Sequence, residues 1–135
     1  MAKIHGDIQQ LGGEVLAVSF ASPTKIASFF KKDPLPFPIV SDESHAAYAA
    51  FGLGRTSAAA LLRPGIIARF LGLIFRGWIP TLPDKDADLW QLGGDFILDR
   101  ADRLCYAYSS NDALDHATNE VLLVAFRQAV GADIG

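Results

Sequence analysis

Cysteine is close to absent: the 135-residue chain contains one, Cys105. A single cysteine cannot form an internal disulfide, so nothing in the sequence argues for an oxidising compartment. Histidine is equally sparse. His5, His45 and His116 lie far apart and none shows the short spacing of a metal-ligand pair. No metal site and no cofactor is therefore expected. The N-terminal residues Met1 to Asp7 turn polar within a few positions and contain no signal-peptide apolar core. A cytoplasmic location is the default. Charge of one sign is also scarce. The net charge is −3 and a fifth of the residues are charged, which gives no reason to expect a nucleic-acid partner. Half of the residues are apolar, which suits one globular domain over residues 1–135.

The local pattern alternates between helices and strands. Ile4, Ile8 and Leu11 recur at helical spacing, and Gly12-Gly13 supplies a left-handed stop. Glu14 to Phe20 is apolar at nearly every position, as expected of a strand covered on both faces. Ser22-Pro23 opens a helix carrying Ile26, Phe29 and Phe30 on one face. The proline-rich run to Pro38 delivers Phe37 to Val40 as a short strand. Ser41 or Asp42 caps a small helix through Tyr48 and Phe51, ended by Gly52. Asp95–Asp99 and Leu104–Tyr108 flank a four-residue turn and predict an antiparallel hairpin, in which Asp102 takes the left-handed conformation. Asn119 to Val130 closes the chain as a helix stopped by Gly131. Alternation followed by a hairpin and a terminal helix predicts an α/β three-layer sandwich, with all four strands in one mixed sheet.

Two stretches carry a family resemblance. Leu11 to Phe20 followed by Leu35 to Asp42 is similar to the second half of a peroxiredoxin core, and Gln91 to Asp99 followed by Tyr106-Ala107-Tyr108 resembles the hairpin of the AhpC/TSA-type peroxiredoxin-like group. The resemblance implies a thioredoxin-like fold without its first core strand, which would lie between Glu14–Phe20 and Asp95–Asp99. It also implies antioxidant or thiol-redox chemistry. In that group the reactive cysteine stands at the start of the first core helix, where the helix N-terminus favours the thiolate. No residue here matches that position, so no catalytic residue is assigned. A thiol reductant or peroxide is expected as partner only if a longer chain supplies the cysteine.

The remaining candidates are weaker. Cys105 lies mid-strand and reads as a packing residue, expected to be buried and slow to react. Gln91, Leu92, Gly93 and Gly94 precede the hairpin, and the resemblance places them along the cleft; glycines required by a tight approach into the strand are the competing explanation. Asp112, Asp115 and His116 read as a turn and helix cap.

An insert at about residues 55–80 is basic and apolar. It contains Arg55, Arg63, Arg69 and Arg76, while no acidic residue occurs between Glu43 and Asp84. It is expected to be largely helical over Arg55–Trp78. Packing within the domain is the favoured role, a partner surface at Arg63, Arg69, Arg76 and Trp78 the second, and membrane-surface contact the least favoured. With Pro64 and interior arginines it is a poor transmembrane span.

Three functions compete: a thiol-redox protein completed by a longer chain, a non-catalytic thioredoxin-fold binding or assembly module, and a fragment with no independent role. A missing strand would leave two sheet edges unpaired, so a homo-oligomer joined through those edges is expected.

Overall fold

The computed structural model describes residues 1–77, 79, 88, 90–112 and 114–133. A turn of 3-10 helix at Ala2–Ile4 runs into α1 (His5–Gln10), and Gly12 stops it with φ +81° as the glycine pair predicts. Strand β1 covers only Ala17–Ser19, and β2 covers Ile39–Ser41. They pair in parallel, with Ala17 opposite Ile39 and Ser19 opposite Ser41. Between them lies α2 (Pro23–Lys32), opened by extended Ser22 and by Pro23 at the first helical position. The Ser22 side chain makes no capping bond.

Helix α3 (Ala46–Ala50) is preceded by His45 in the left-handed conformation. Of the two residues expected to cap it, Asp42 does so, its carboxylate accepting from the Ala46 and Ala47 amides at 3.0 and 2.8 Å, while the Ser41 hydroxyl donates to the Ala21 carbonyl. The insert is helical in two pieces, α4 (Ala58–Leu61) and α5 (Pro64–Phe75). The hairpin forms as predicted, β3 (Gly94–Leu98) against β4 (Leu104–Ser109), with Asp102 at φ 59° in its turn. Helix α6 (Asn119–Asp133) continues through Gly131, so the expected stop there is not used. Without a need for positive φ, a glycine costs a helix only about 1 kcal/mol.

The single sheet expected from the sequence is not what forms. The strands divide into two two-stranded sheets, β1 with β2 and β3 with β4. A groove of about 600 Å³ separates β1 from β3. Closing it by direct pairing would bring the edges to one strand spacing, about 4.8 Å, and would crowd the side chains that line it.

The core sits on one side of this groove. Ile4, Ile8, Ala117 and Leu122 are buried together, and Val15, Tyr106, Tyr108, Leu123 and Phe126 pack against them. The opposite face of β3 is met by Phe51, whose ring lies 4.4 Å from that of Phe96. Burial is thin. Among the described residues only eight hydrophobic side chains and His5 are buried. Val18 on β1 and Leu16 just before it are exposed, as is Val40 beside Val18, so the covering of both faces expected over Glu14–Phe20 is incomplete.

Candidate functional site

Strand polarity determines what the groove presents. In β1 the Ala17 amide donates to the Pro38 carbonyl (3.0 Å) and the Ser19 carbonyl accepts from the Asp42 amide (2.7 Å), so these residues turn their main chain toward β2. The alternate groups, on Leu16 and Val18, point into the groove, where the Val18 carbonyl accepts from the Tyr48 hydroxyl at 3.1 Å. In the hairpin the Gly93 carbonyl accepts from the Ser110 amide (3.0 Å), with Asp95 opposite Tyr108 and Ile97 opposite Tyr106. The main-chain groups of Gly94, Phe96 and Leu98 therefore face the groove from the other side. Side chains of Ile8, Leu122 and Phe126 close one face, and those of Tyr48, Phe51 and Leu53 the other.

Of the four residues expected along the cleft, Gly93 and Gly94 line this groove. Gln91 and Leu92 do not, because both are used to anchor the strand's entry. The Gln91 amide nitrogen donates to the Gly54 and Leu92 carbonyls (3.1 and 3.0 Å), and the Leu92 amide donates to the Gly54 carbonyl (3.1 Å). Leu92 is buried. Gly94 meets a steric demand: a β-carbon there would lie 2.6 Å from the Tyr108 carbonyl oxygen and 2.7 Å from Leu53.

At the rim, buried His5 and exposed Glu14 meet at 2.7 Å. The His5 hydrogen bond, followed by those from the Val15 amide and Gln9, lowers the Glu14 carboxyl to about 2. A second constellation escaped sequence reasoning because its members are far apart in the chain. Asp88 receives a bidentate pair from Arg55 at 2.7 and 2.9 Å, which is the first cause of its lowered pKa. His45, stacked on Phe20 with ring centroids 5.3 Å apart, brings Nε2 within 3.3 Å of Asp88 without the alignment of a hydrogen bond. Among the described residues no cluster of three or more ligating side chains could hold a metal.

Cys105 corrects an expectation. It is exposed, not buried. Tyr106 and Tyr108 turn inward to the α6 core, so Cys105 and Ala107 turn to the other face of β4, which is open there. The ladder also shifts at this point: Ile97 opposes Tyr106 and Leu98 opposes Leu104, leaving Cys105 as the extra residue of a bulge. Its Sγ lies 3.6 Å from the Arg103 carbonyl oxygen, toward which the thiol donates. The alternation of small Cys105 and Ala107 with the two tyrosines is the signal that could have shown this face to be uncovered.

The basic insert does not gather its arginines. Arg63 precedes α5 and Arg76 follows it, both exposed, while Arg69 pairs with Asp112 at 3.0 Å and donates to the Leu114 carbonyl at 3.0 Å. Trp78 lies outside the described residues. Only Ile66 of α5 is buried; Ile67, Leu71, Ile74 and Phe75 form an exposed apolar face. Among the described residues no helix is long and apolar enough to cross a membrane. Asp115 is held by the Tyr108 hydroxyl (2.5 Å) and the Asn111 amide (2.7 Å), which together lower its pKa, and Asp112 caps the turn at Leu114. The turn expected of the loop forms, but the helix cap does not come from it: the Thr118 hydroxyl accepts from the Val121 amide at 3.3 Å, and His116 lies 3.2 Å from the Leu114 carbonyl.

The strand-helix alternation, the hairpin entered through a glycine pair and the terminal helix make a mixed α/β fold with two small sheets. The family model for AhpC/TSA antioxidant enzymes matches residues 2–112, and the chain belongs to that family. Searches of curated proteins and of solved structures found no match.

Proposed function

We propose that the chain is an AhpC/TSA-type thiol-redox scaffold, a thioredoxin-like sandwich whose middle layer is interrupted between β1 and β3, and that it does not reduce peroxide by itself. The surroundings of its sole thiol carry this reading. A peroxide-reducing cysteine works as a thiolate stabilised by a helix N-terminus or a positive neighbour. Cys105 instead occupies a strand bulge and faces a carbonyl oxygen. Among the described residues no helix begins beside it in the chain; α6 starts at Asn119.

A binding or assembly role is favoured by a separate observation, the apolar groove of about 600 Å³ between the two sheets. Ligand sites are characteristically concave, apolar and of this size. The test of the redox reading is hydrogen peroxide consumption with dithiothreitol as reductant. The wild type and Cys105→Ser are expected to match the rate of dithiothreitol alone. Turnover that depends on protein concentration and disappears in Cys105→Ser would overturn the reading.

A further inference from the structure

We propose that α5 is an interfacial helix that lays its outer face, Ile67, Leu71, Ile74 and Phe75, into the surface of an anionic lipid bilayer, with Arg63 and Arg76 seated among the headgroups. The inference depends neither on the redox reading nor on the groove between the two sheets.

The helix is apolar on two sides. Ile66 is buried, and Phe70 and Leu73 on the same side are half-buried. Ile67, Leu71, Ile74 and Phe75 share the other side, and all four are exposed. Arg69 fixes which side faces out. It stands two residues from Ile67 and two from Leu71, roughly 200° around the helix from each, and so on the opposite side. Its guanidinium pairs with Asp112 at 3.0 Å and donates to the Leu114 carbonyl at 3.0 Å. The loop after β4 thereby holds the Arg69 side against the domain and turns the Ile67–Leu71 side to solvent. Packing within the domain, the role the sequence favoured for the insert, occupies one row of the helix and leaves the other uncovered.

The uncovered row protrudes. Phe75 is 89 % exposed, and just beyond the helix ends Leu62 is 70 % and Ile79 80 % exposed. Protein interfaces gain their affinity from anchors seated in desolvated pockets. Apolar side chains that stand clear of the surface along one helix have instead the geometry of insertion at the boundary between headgroups and acyl chains. At about 18 Å in length, α5 is too short for a hydrocarbon core of about 30 Å, so it lies along the surface and does not span it.

Charge determines the lipid. No acidic residue occurs between Glu43 and Asp84, so the segment carries no carboxylate to repel an anionic headgroup. Arg63 and Arg76 are exposed immediately before and after the helix. A long side chain at such a position lays its stem along apolar surface and extends its charge to the headgroups. Among the described residues neither arginine forms an ion pair, and Asp112 is already engaged by Arg69. Two guanidinium groups without a neighbouring carboxylate complement phosphatidylserine and gain little from a zwitterionic headgroup. A short apolar row by itself gives marginal membrane binding; together with the two arginines it supplies the pair of signals that surface attachment requires.

The probe is a pair of sucrose-loaded vesicles, one of phosphatidylcholine alone and one with a one-third share of phosphatidylserine, incubated with the full chain and sedimented. The chain should sediment with the mixed vesicles, about tenfold or more tighter than with phosphatidylcholine alone, and should be released by high salt. Arg63→Gln and Arg76→Gln should each weaken binding about fivefold. Leu71→Gln and Phe75→Ser should each weaken it about tenfold. Both positions are exposed, so circular dichroism of these variants should show the melting of the wild type. Absence of sedimentation with the mixed vesicles would overturn the proposal. Equal binding to the two vesicle types would also overturn it, by reducing the contact to non-specific apolar adsorption. Binding undiminished in both Leu71→Gln and Phe75→Ser would place the contact elsewhere on the chain and overturn it too. So would a dimer in sedimentation velocity that dissociates in Leu71→Gln, by assigning the face to a second copy of this chain.

Discussion

Gly93 and Gly94 are adjacent, yet substitution by alanine should separate them sharply. Neither glycine has a φ in the left-handed region, so backbone strain is the same small quantity for both and the difference is steric. At Gly93 a β-carbon meets nothing within 4 Å. At Gly94 it would lie 2.6 Å from the Tyr108 carbonyl oxygen, 2.7 Å from Leu53 and 3.0 Å from Phe96. The nearest of these is main chain of the partner strand, which cannot turn aside without opening the hairpin. Overpacking of this kind costs about 1–3 kcal/mol. Gly93→Ala should instead leave stability unchanged or raise it by about 0.4–1 kcal/mol, because alanine restricts the unfolded chain. For a domain of this size about 1 kcal/mol moves the melting midpoint by roughly 3–6 °C. Gly94→Ala should therefore melt about 3–18 °C below the wild type, while Gly93→Ala melts at or slightly above it. Urea unfolding followed by far-ultraviolet circular dichroism provides the free energies. Equal midpoints for the two variants, or a greater loss in Gly93→Ala, would refute the close approach of β3 to Tyr108.

Acid stability should depend on Glu14. Its folded carboxyl is lowered from 4.5 to about 2, so its contribution is complete above 4.5 and is lost as pH falls toward 2; Glu14→Gln should flatten the acid unfolding curve in that window, and an unchanged curve would show that the contact with His5 is not maintained in solution. Exposed Cys105 should react with a chromogenic disulfide reagent in the native state with a stoichiometry of one and at nearly the rate of the urea-unfolded chain. A reaction limited by unfolding would restore the buried thiol first expected.

How much of this was legible beforehand follows the range of the interactions involved. Pro23 at a helix start, Gly12 at a helix stop, Asp42 as the acceptor for the α3 amides and Asp102 in the hairpin turn were all readable, because each acts on main chain within about five residues of itself. Gly131 was misread for the same reason in reverse: a glycine permits a stop, but tertiary packing of α6 decides whether the stop is taken. The AhpC/TSA family was also legible, since its motifs are stretches of sequence.

What the chain order could not decide was which edges meet. An apolar run such as Glu14 to Phe20 is compatible with a central strand and with one whose outer groups face a groove, because periodicity records the side chains' surroundings and not the partner of each peptide group. The exposure of Cys105 was decided in the same way, by the absence of a cover on one face of β4. The meeting of His45, Asp88 and Arg55 required three separate segments to be folded first. Local chemistry in the sequence thus determined the elements and the family, while the division into two sheets, the groove between them and the surroundings of the single thiol were decided only by tertiary packing, which joins residues that no sequence spacing connects.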